Sequence, residues 1–194
     1  MSKRTVSLEI RRNPLPYAQR LESRSTDEID LVVIHCTELP DLAMARVWGE
    51  KELYPETRTG NSGHFYIDRA GRIEQWVPLE AVAHHVRGFN PKSIGIELIN
   101  IGRYPDWFRS GHQQMEEPYP EPQVEALVIL INHLQKRVDG LKKIAGHEDL
   151  DTAMIPSEDD PNTLIRRKLD PGPLFPWAVV MNKIQLERVV AKDL

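Results

Sequence analysis

Histidines and acidic side chains supply most of the chemistry open to this sequence, and three of them stand out by their settings. His35 falls at the end of the apolar run Leu31-Val32-Val33-Ile34-His35-Cys36, and α/β sheets present functional groups at strand ends. His147 follows Ala145-Gly146, and Asp170 lies in Lys168-Leu169-Asp170-Pro171-Gly172-Pro173. Taken singly, each has an ordinary reading: a core histidine, a surface-loop histidine, and the aspartate of a turn, for which Asp-Pro-Gly is common chemistry. Taken together, two neutral imidazoles and one carboxylate make a sound ligand set for Zn²⁺, with the fourth position left to water as in catalytic sites. The positive charge remaining on such a site lowers the pKa of that water. The long gaps between the three residues mean that spacing alone adds little.

Other groups fit around this set. Glu97 sits in Ser93-Ile94-Gly95-Ile96-Glu97-Leu98-Ile99, where alternation puts Ser93, Gly95 and Glu97 on one strand face, with Gly95 leaving room beside the glutamate. Such a carboxylate can serve as general base and then deliver the proton to a leaving amine; a solvated strand glutamate is the competing reading. Lys168, two residues from Asp170, could stabilise a developing oxyanion, or be a surface lysine. One of His84 and His85 could line a cleft. His64 and Tyr66 share a strand face and could line it too, although hydrogen-bonded structural roles are favoured for both. Cys36 points to the opposite strand face from His35 and reads as a buried structural thiol. His112 and His133 carry no functional reading.

The elements that must position these residues follow from pattern. Leu31–Cys36 reads as a buried central strand. Residues 64–68 and 72–76 read as two strands joined by a turn with Gly71 near its tip, and residues 93–99 as a further strand. Residues 41–53 have helical composition. Residues 122–138 form the best helix, with Val124, Leu127, Val128, Ile131, Leu134 and Val138 on one stripe, proline at its start and Gly140 near its end. Residues 1–30 read as an N-terminal arm with a weak strand signal at Val6, Leu8 and Ile10. Residues 148–167 read as a long solvated loop within an irregular stretch reaching 173, and residues 177–190 as a terminal amphipathic helix. The expectation is a single α/β domain over residues 31–194, with a central mixed sheet flanked by helices and the site at one face of the sheet.

Composition sets the outer bounds. The chain has 194 residues, 40% hydrophobic and 28% charged, which excludes wholesale disorder, and its single cysteine excludes a disulfide scaffold. A net charge of −4 argues against a nucleic-acid partner. The apolar runs are too short to span a bilayer, and residues 1–30 lack the apolar segment of a secretory signal. A cytoplasmic monomer is expected.

Five stretches in order carry a family resemblance: Val32-Val33-Ile34-His35-Cys36-Thr37; Gly63-His64-Phe65-Tyr66-Ile67 followed by Gly71; Ala83-His84-His85 with Gly88-Phe89-Asn90; Ser93-Ile94-Gly95-Ile96-Glu97-Leu98; and Gly146-His147 leading to Lys168-Leu169-Asp170-Pro171-Gly172-Pro173. Over about residues 30–178 the chain resembles the zinc N-acetylmuramoyl-L-alanine amidases of the type 2 family, which includes cytosolic anhydro-muropeptide amidases, phage lysozyme-amidases and animal peptidoglycan recognition proteins. The resemblance implies Zn²⁺ held by His35, His147 and Asp170, with Glu97 as catalytic acid/base and Lys168 as oxyanion stabiliser. It implies a substrate cleft lined by His85, with Asn90, His64 and Tyr66 as further substrate-binding candidates. The implied reaction is hydrolysis of the amide between the lactyl group of N-acetylmuramic acid and L-alanine, in peptidoglycan or muropeptides. The alternative is a muropeptide-binding homologue without activity, against which the presence of all three ligand residues speaks. Two departures stand out: the segment between His147 and Lys168 is longer than in compact relatives, and Gly63 stands where phage relatives often carry tyrosine, so a glutamate-type site around Glu97 is the better pattern.

Overall fold

The computed structural model of the chain describes residues 8–194. The weak strand signal at Val6 lies outside them. Its architecture is built on two six-residue and several shorter strands. Strand β2 (Leu31–Cys36) is buried along its whole length, as its apolar, β-branched sequence requires, and β5 (Ser93–Leu98) lies parallel beside it. Strands β3 (Phe65–Ile67) and β4 (Ile73–Gln75) form the expected antiparallel pair. With β1 (Ile10–Arg12), β6 (Lys143–Gly146) and β9 (Glu187–Arg188) they complete a mixed sheet in the order β1-β4-β3-β5-β2-β6-β9. Apart from the β3–β4 pair, neighbouring strands are parallel.

The two faces of the sheet are covered differently. Helix α2 (Glu121–Gln135) begins on Glu121-Pro122, the composition favoured at a helix start, and lays Val124, Leu127, Val128, Ile131 and Leu134 on Val32, Ile34, Ile94, Ile96 and Leu98. Each such side chain contributes about 1.5–3 kcal/mol relative to exposure, before chain entropy is set against it. Val138 joins this core from the turn beyond the helix. Helix α1 (Leu42–Gly49), capped by Asp41 accepting from the Met44 N–H at 2.7 Å, lies on the other face. That face also packs Leu15, Tyr17, Ala18 and Leu21 around Trp76 and Tyr66. From residue 8 onward the stretch read as an arm is therefore part of the fold, with β1 extending the sheet at β4.

Two expectations about the carboxyl-terminal third are corrected. The stretch read as a solvated loop over 148–167 holds helix α3 (His147–Leu150) and an antiparallel hairpin of β7 (Met154–Pro156) and β8 (Leu164–Arg166). Its turn is closed by local polar chemistry: the Ser157 hydroxyl donates to the Asp160 carbonyl, and Thr163 donates to Asp160 Oδ2 at 2.6 Å. The hairpin is tied to the loop after β5 by Glu158 N–H to the Phe108 carbonyl and Ser110 N–H to Asp159. The terminal helix stops early: α4 covers Trp177–Met181, and the chain then pairs with β6 as β9. Leu186 and Val189 are buried on either side of β9, and pairing of Glu187 and Arg188 with Lys143 and Ile144 of β6 overrides the helical pattern there.

Candidate metal centre and its cleft

Register brings the chemistry together. Across β2 and β5 the paired residues run from Leu31 with Ser93 to Cys36 with Leu98, so His35 stands directly beside Glu97, and Tyr66 of β3 flanks Glu97 on the far side. Strand β6 pairs Gly146 with Ile34, and the chain turns into α3 at the next residue, His147. Three parallel strands thus deliver His35, Glu97 and His147 at their carboxyl ends, where open α/β sheets bind ligands. Asp170 arrives from the segment after β8, held by the Glu148 N–H donating to its carbonyl at 2.8 Å.

His35, His147 and Asp170 converge on one point and are all buried. His35 Nδ1 lies 3.0 Å from His147 Nδ1 and 3.0 Å from Asp170 Oδ2, and His147 Nδ1 lies 3.1 Å from the same oxygen. Burial and the neighbouring His147 push His35 down to about 4. Burial alone would raise Asp170, but the two histidines and Lys168 outweigh it and hold the carboxyl well below the usual range. Neutral imidazole lone pairs and a carboxylate oxygen facing one another at these distances repel unless a cation or a proton lies among them. The donor set, two nitrogens and one oxygen, fits a zinc-type ion, and Asp170 Oδ1, buried with no hydrogen-bond partner among the described residues, adds acceptor capacity.

Glu97 lies at the floor of the same cleft, where burial, then the Asp170 charge, raise its carboxyl to about 8, against the pull of Lys168. It can therefore hold or release a proton near neutral pH. Room for it comes from Gly63, not from Gly95 as its sequence position suggests: a Cβ at Gly63 would sit 2.7 Å from Glu97 Cγ, whereas one at Gly95 would meet the His85 ring at 2.6 Å. The cleft, about 660 Å³, is also lined by Lys168, His85, Asn90 and Tyr66.

The remaining candidates fall out by position. Asn90 Oδ1 accepts from the backbone N–H groups of His85 and Val86, fixing the loop that carries His85. The Tyr66 hydroxyl accepts from the Gly63 N–H. His64 is fully buried behind the cleft, with Nδ1 accepting from Gly95 N–H and Nε2 facing the Ala81 carbonyl and Arg24. Cys36 lies on the opposite strand face, where burial and then Glu38 push its thiol well up, away from the thiolate. Sequence reading missed the cleft walls: Trp48, Tyr54, Phe108 and Arg167. In the structure Trp48, within α1, and Tyr54, beyond its end, are both exposed; the sequence showed only two aromatic residues in and just after a helical stretch.

Comparison with known proteins agrees with this geometry. Residues 25–173 match the family model described as N-acetylmuramoyl-L-alanine amidase. The chain is 33% identical over 115 residues to the N-acetylmuramoyl-L-alanine amidase AmiD of Escherichia coli (strain K12), a stretch of 55% of this chain and 36% of that protein. The chain thus spans about a third of the length of that curated relative. A solved structure of E. coli AmiD with its substrate anhydro-N-acetylmuramic acid-L-Ala-D-gamma-Glu-L-Lys superposes with a TM-score of 0.59 at 26% identity, covering 80% of this chain and 57% of that one. The amidase LysC from Clostridium intestinale URNW shares the fold at a TM-score of 0.63 and 20% identity, over 93% of this chain and 100% of its own.

Proposed function

The chain belongs to the N-acetylmuramoyl-L-alanine amidase family, and from that premise we propose that it is a zinc hydrolase acting on peptidoglycan or its muropeptide fragments. The bond cleaved is the amide between the lactyl group of N-acetylmuramic acid and L-alanine. The observation that carries this reading is the convergence of His35, His147 and Asp170 beside a glutamate raised to about 8. His35, His147 and Asp170 would hold Zn²⁺, which when bound supplies Lewis acidity and lowers the pKa of water.

Every other part falls to the side chains. Glu97, ionised, accepts a proton as water adds to the lactyl carbonyl carbon. The C–N bond then breaks, and Glu97 returns the proton to the departing nitrogen, without which an amide is a poor leaving group. The Lys168 ammonium faces the negative charge that develops on the carbonyl oxygen. Trp48, Tyr54 and Phe108 offer flat apolar surface along the cleft.

The experiment is mass spectrometry of anhydro-N-acetylmuramic acid-L-Ala-D-gamma-Glu-L-Lys, and of its non-anhydro counterpart, after incubation with zinc-loaded and chelator-treated protein. Release of the free peptide only in the zinc sample is expected. Intact substrate with zinc demonstrably bound would overturn the hydrolase and leave a muropeptide-binding homologue.

A further inference from the structure

We propose that Phe89, Ser93 and His85 form a one-way hydrogen-bond relay that fixes the His35 imidazole with its Nδ1 lone pair turned to the metal centre, so that His85 is a positioning residue for a ligand before it is a wall of the substrate cleft. The relay rests on the zinc reading above both for its purpose and for the cation that the His35 Nδ1 lone pair faces; its order rests on the Phe89 carbonyl, which can only accept.

The chain of contacts begins at a group that cannot change roles. The Phe89 carbonyl only accepts, and the Ser93 hydroxyl donates to it at 2.8 Å. That donation uses the hydroxyl hydrogen, so Ser93 Oγ offers only lone pairs to His85 Nε2, 3.2 Å away. His85 Nε2 must then carry the hydrogen. In a neutral imidazole this leaves Nδ1 bare, and His85 Nδ1 faces His35 Nε2 at 3.0 Å. His35 Nε2 in turn must carry its hydrogen, which leaves Nδ1 as the lone pair directed at His147 and Asp170. Reversing the relay would set the Ser93 Oγ lone pairs against the Phe89 carbonyl oxygen at 2.8 Å.

The surroundings are shaped for this ring. Asn90 Oδ1 accepts from the His85 N–H at 3.0 Å and the Val86 N–H at 2.7 Å, fixing the backbone on both sides of the ring's attachment. Gly95 supplies bare backbone on β5, where a Cβ would lie 2.6 Å from His85 Cγ. The His85 ring meets the His35 ring edge-on, with centroids 5.1 Å apart and planes at 88°. Hydrogen-bond partners that hold a ligating histidine typically matter 10- to 100-fold in metal affinity.

The test compares wild type, His85→Ala, His85→Asn and Ser93→Ala as full-length chains. Asparagine places a carbonyl oxygen close to where His85 Nδ1 stood, so it can accept from His35 Nε2 without the ring. Zinc affinity is read by competition with a chromophoric chelator. The tautomer of His35 is read from long-range ¹H–¹⁵N spectra of the zinc-loaded protein. The expected results are a His35 protonated at Nε2 in wild type, a roughly 10-fold or greater loss of zinc affinity in His85→Ala, recovery of most of that loss in His85→Asn, and an intermediate loss in Ser93→Ala.

A folded His85→Ala with affinity within about twofold of wild type would overturn the relay, as would equal losses in the alanine and asparagine variants, or a His35 protonated at Nδ1. Should His85→Ala fail to fold, the asparagine and Ser93→Ala variants and the wild-type spectrum decide. Failure of the zinc reading looks different: wild type and His35→Ala would then bind zinc equally or not at all, and the relay would lose its purpose with it.

Discussion

Glu97 and Gly63 set what the acid–base chemistry can do. The Glu97 carboxyl is raised to about 8 in the folded chain, chiefly by burial, whereas an unfolded glutamate titrates near 4.3. The native state therefore binds the extra proton between these values, and stability falls as pH rises through that window. In metal-free protein, Glu97→Gln is expected to match wild type below about pH 4 and to exceed it at pH 9 by about 1–2 kcal/mol, because the side chain is only partly shielded at the cleft floor. Calorimetry across pH checks this. The same variant should keep zinc and lose roughly 10²- to 10⁴-fold in turnover; near-normal turnover would show that another group moves the proton. Gly63→Ala is the steric counterpart. Its Cβ would press on Glu97 Cγ at 2.7 Å, so kcat should fall roughly 10- to 100-fold while zinc affinity holds. The shared face of Glu97 and Gly95, and the opposite directions of His35 and Cys36, were legible from strand alternation, since the period of two is local. The pairing of Gly63 with Glu97, and of Gly95 with His85, was not, because it depends on how separate elements meet.

The element that aims Lys168 and Asp170 is fixed by a buried ion pair at the edge of the cleft, where Glu38 lines its wall. Arg103, almost fully buried, donates through Nε and Nη2 to Glu38 at 2.6 and 2.9 Å. It also donates to the carbonyls of Arg166 and Arg167 at 3.1 and 3.3 Å, at the end of β8 and just before Lys168. The loop after β5 thereby clamps the end of the hairpin to the loop after β2. Arg103→Met would leave Glu38 buried without its partner and is expected to cost about 3–5 kcal/mol. Adding Glu38→Gln should recover a large part, giving a coupling energy in urea denaturation; additive losses would show that the two residues do not act as a pair. These loops are also where the sequence was hardest to read. The three-residue strands β7 and β8 carry too few residues for a period, and their pairing is decided by Asp160, Ser157 and the Phe108 carbonyl. The long stripe of α2 and the unbroken apolar run of β2 were plain for the opposite reason.

Over the whole molecule, the three proposed ligands tie together parts of the chain that are remote in sequence: His35 from the central strand, His147 from the start of α3, and Asp170 from beyond the β7–β8 hairpin. An unfolded chain holds them far apart, so an ion bound by all three binds the native state and adds to its stability as RT ln(1 + [L]/Kd), about 2.7 kcal/mol at 100 times Kd. For a chain of this length that corresponds to a rise in Tm of roughly 5–10 °C. The rise should appear with zinc, vanish with chelator, persist in Glu97→Gln and be absent from His35→Ala. His35→Ala also changes the packing of a buried site, so its own effect on Tm is read in chelator, apart from the zinc increment. Differential scanning calorimetry of the two variants and wild type, each with zinc and with chelator, separates these contributions. An equal zinc shift in His35→Ala would place the stabilising ion elsewhere on the chain.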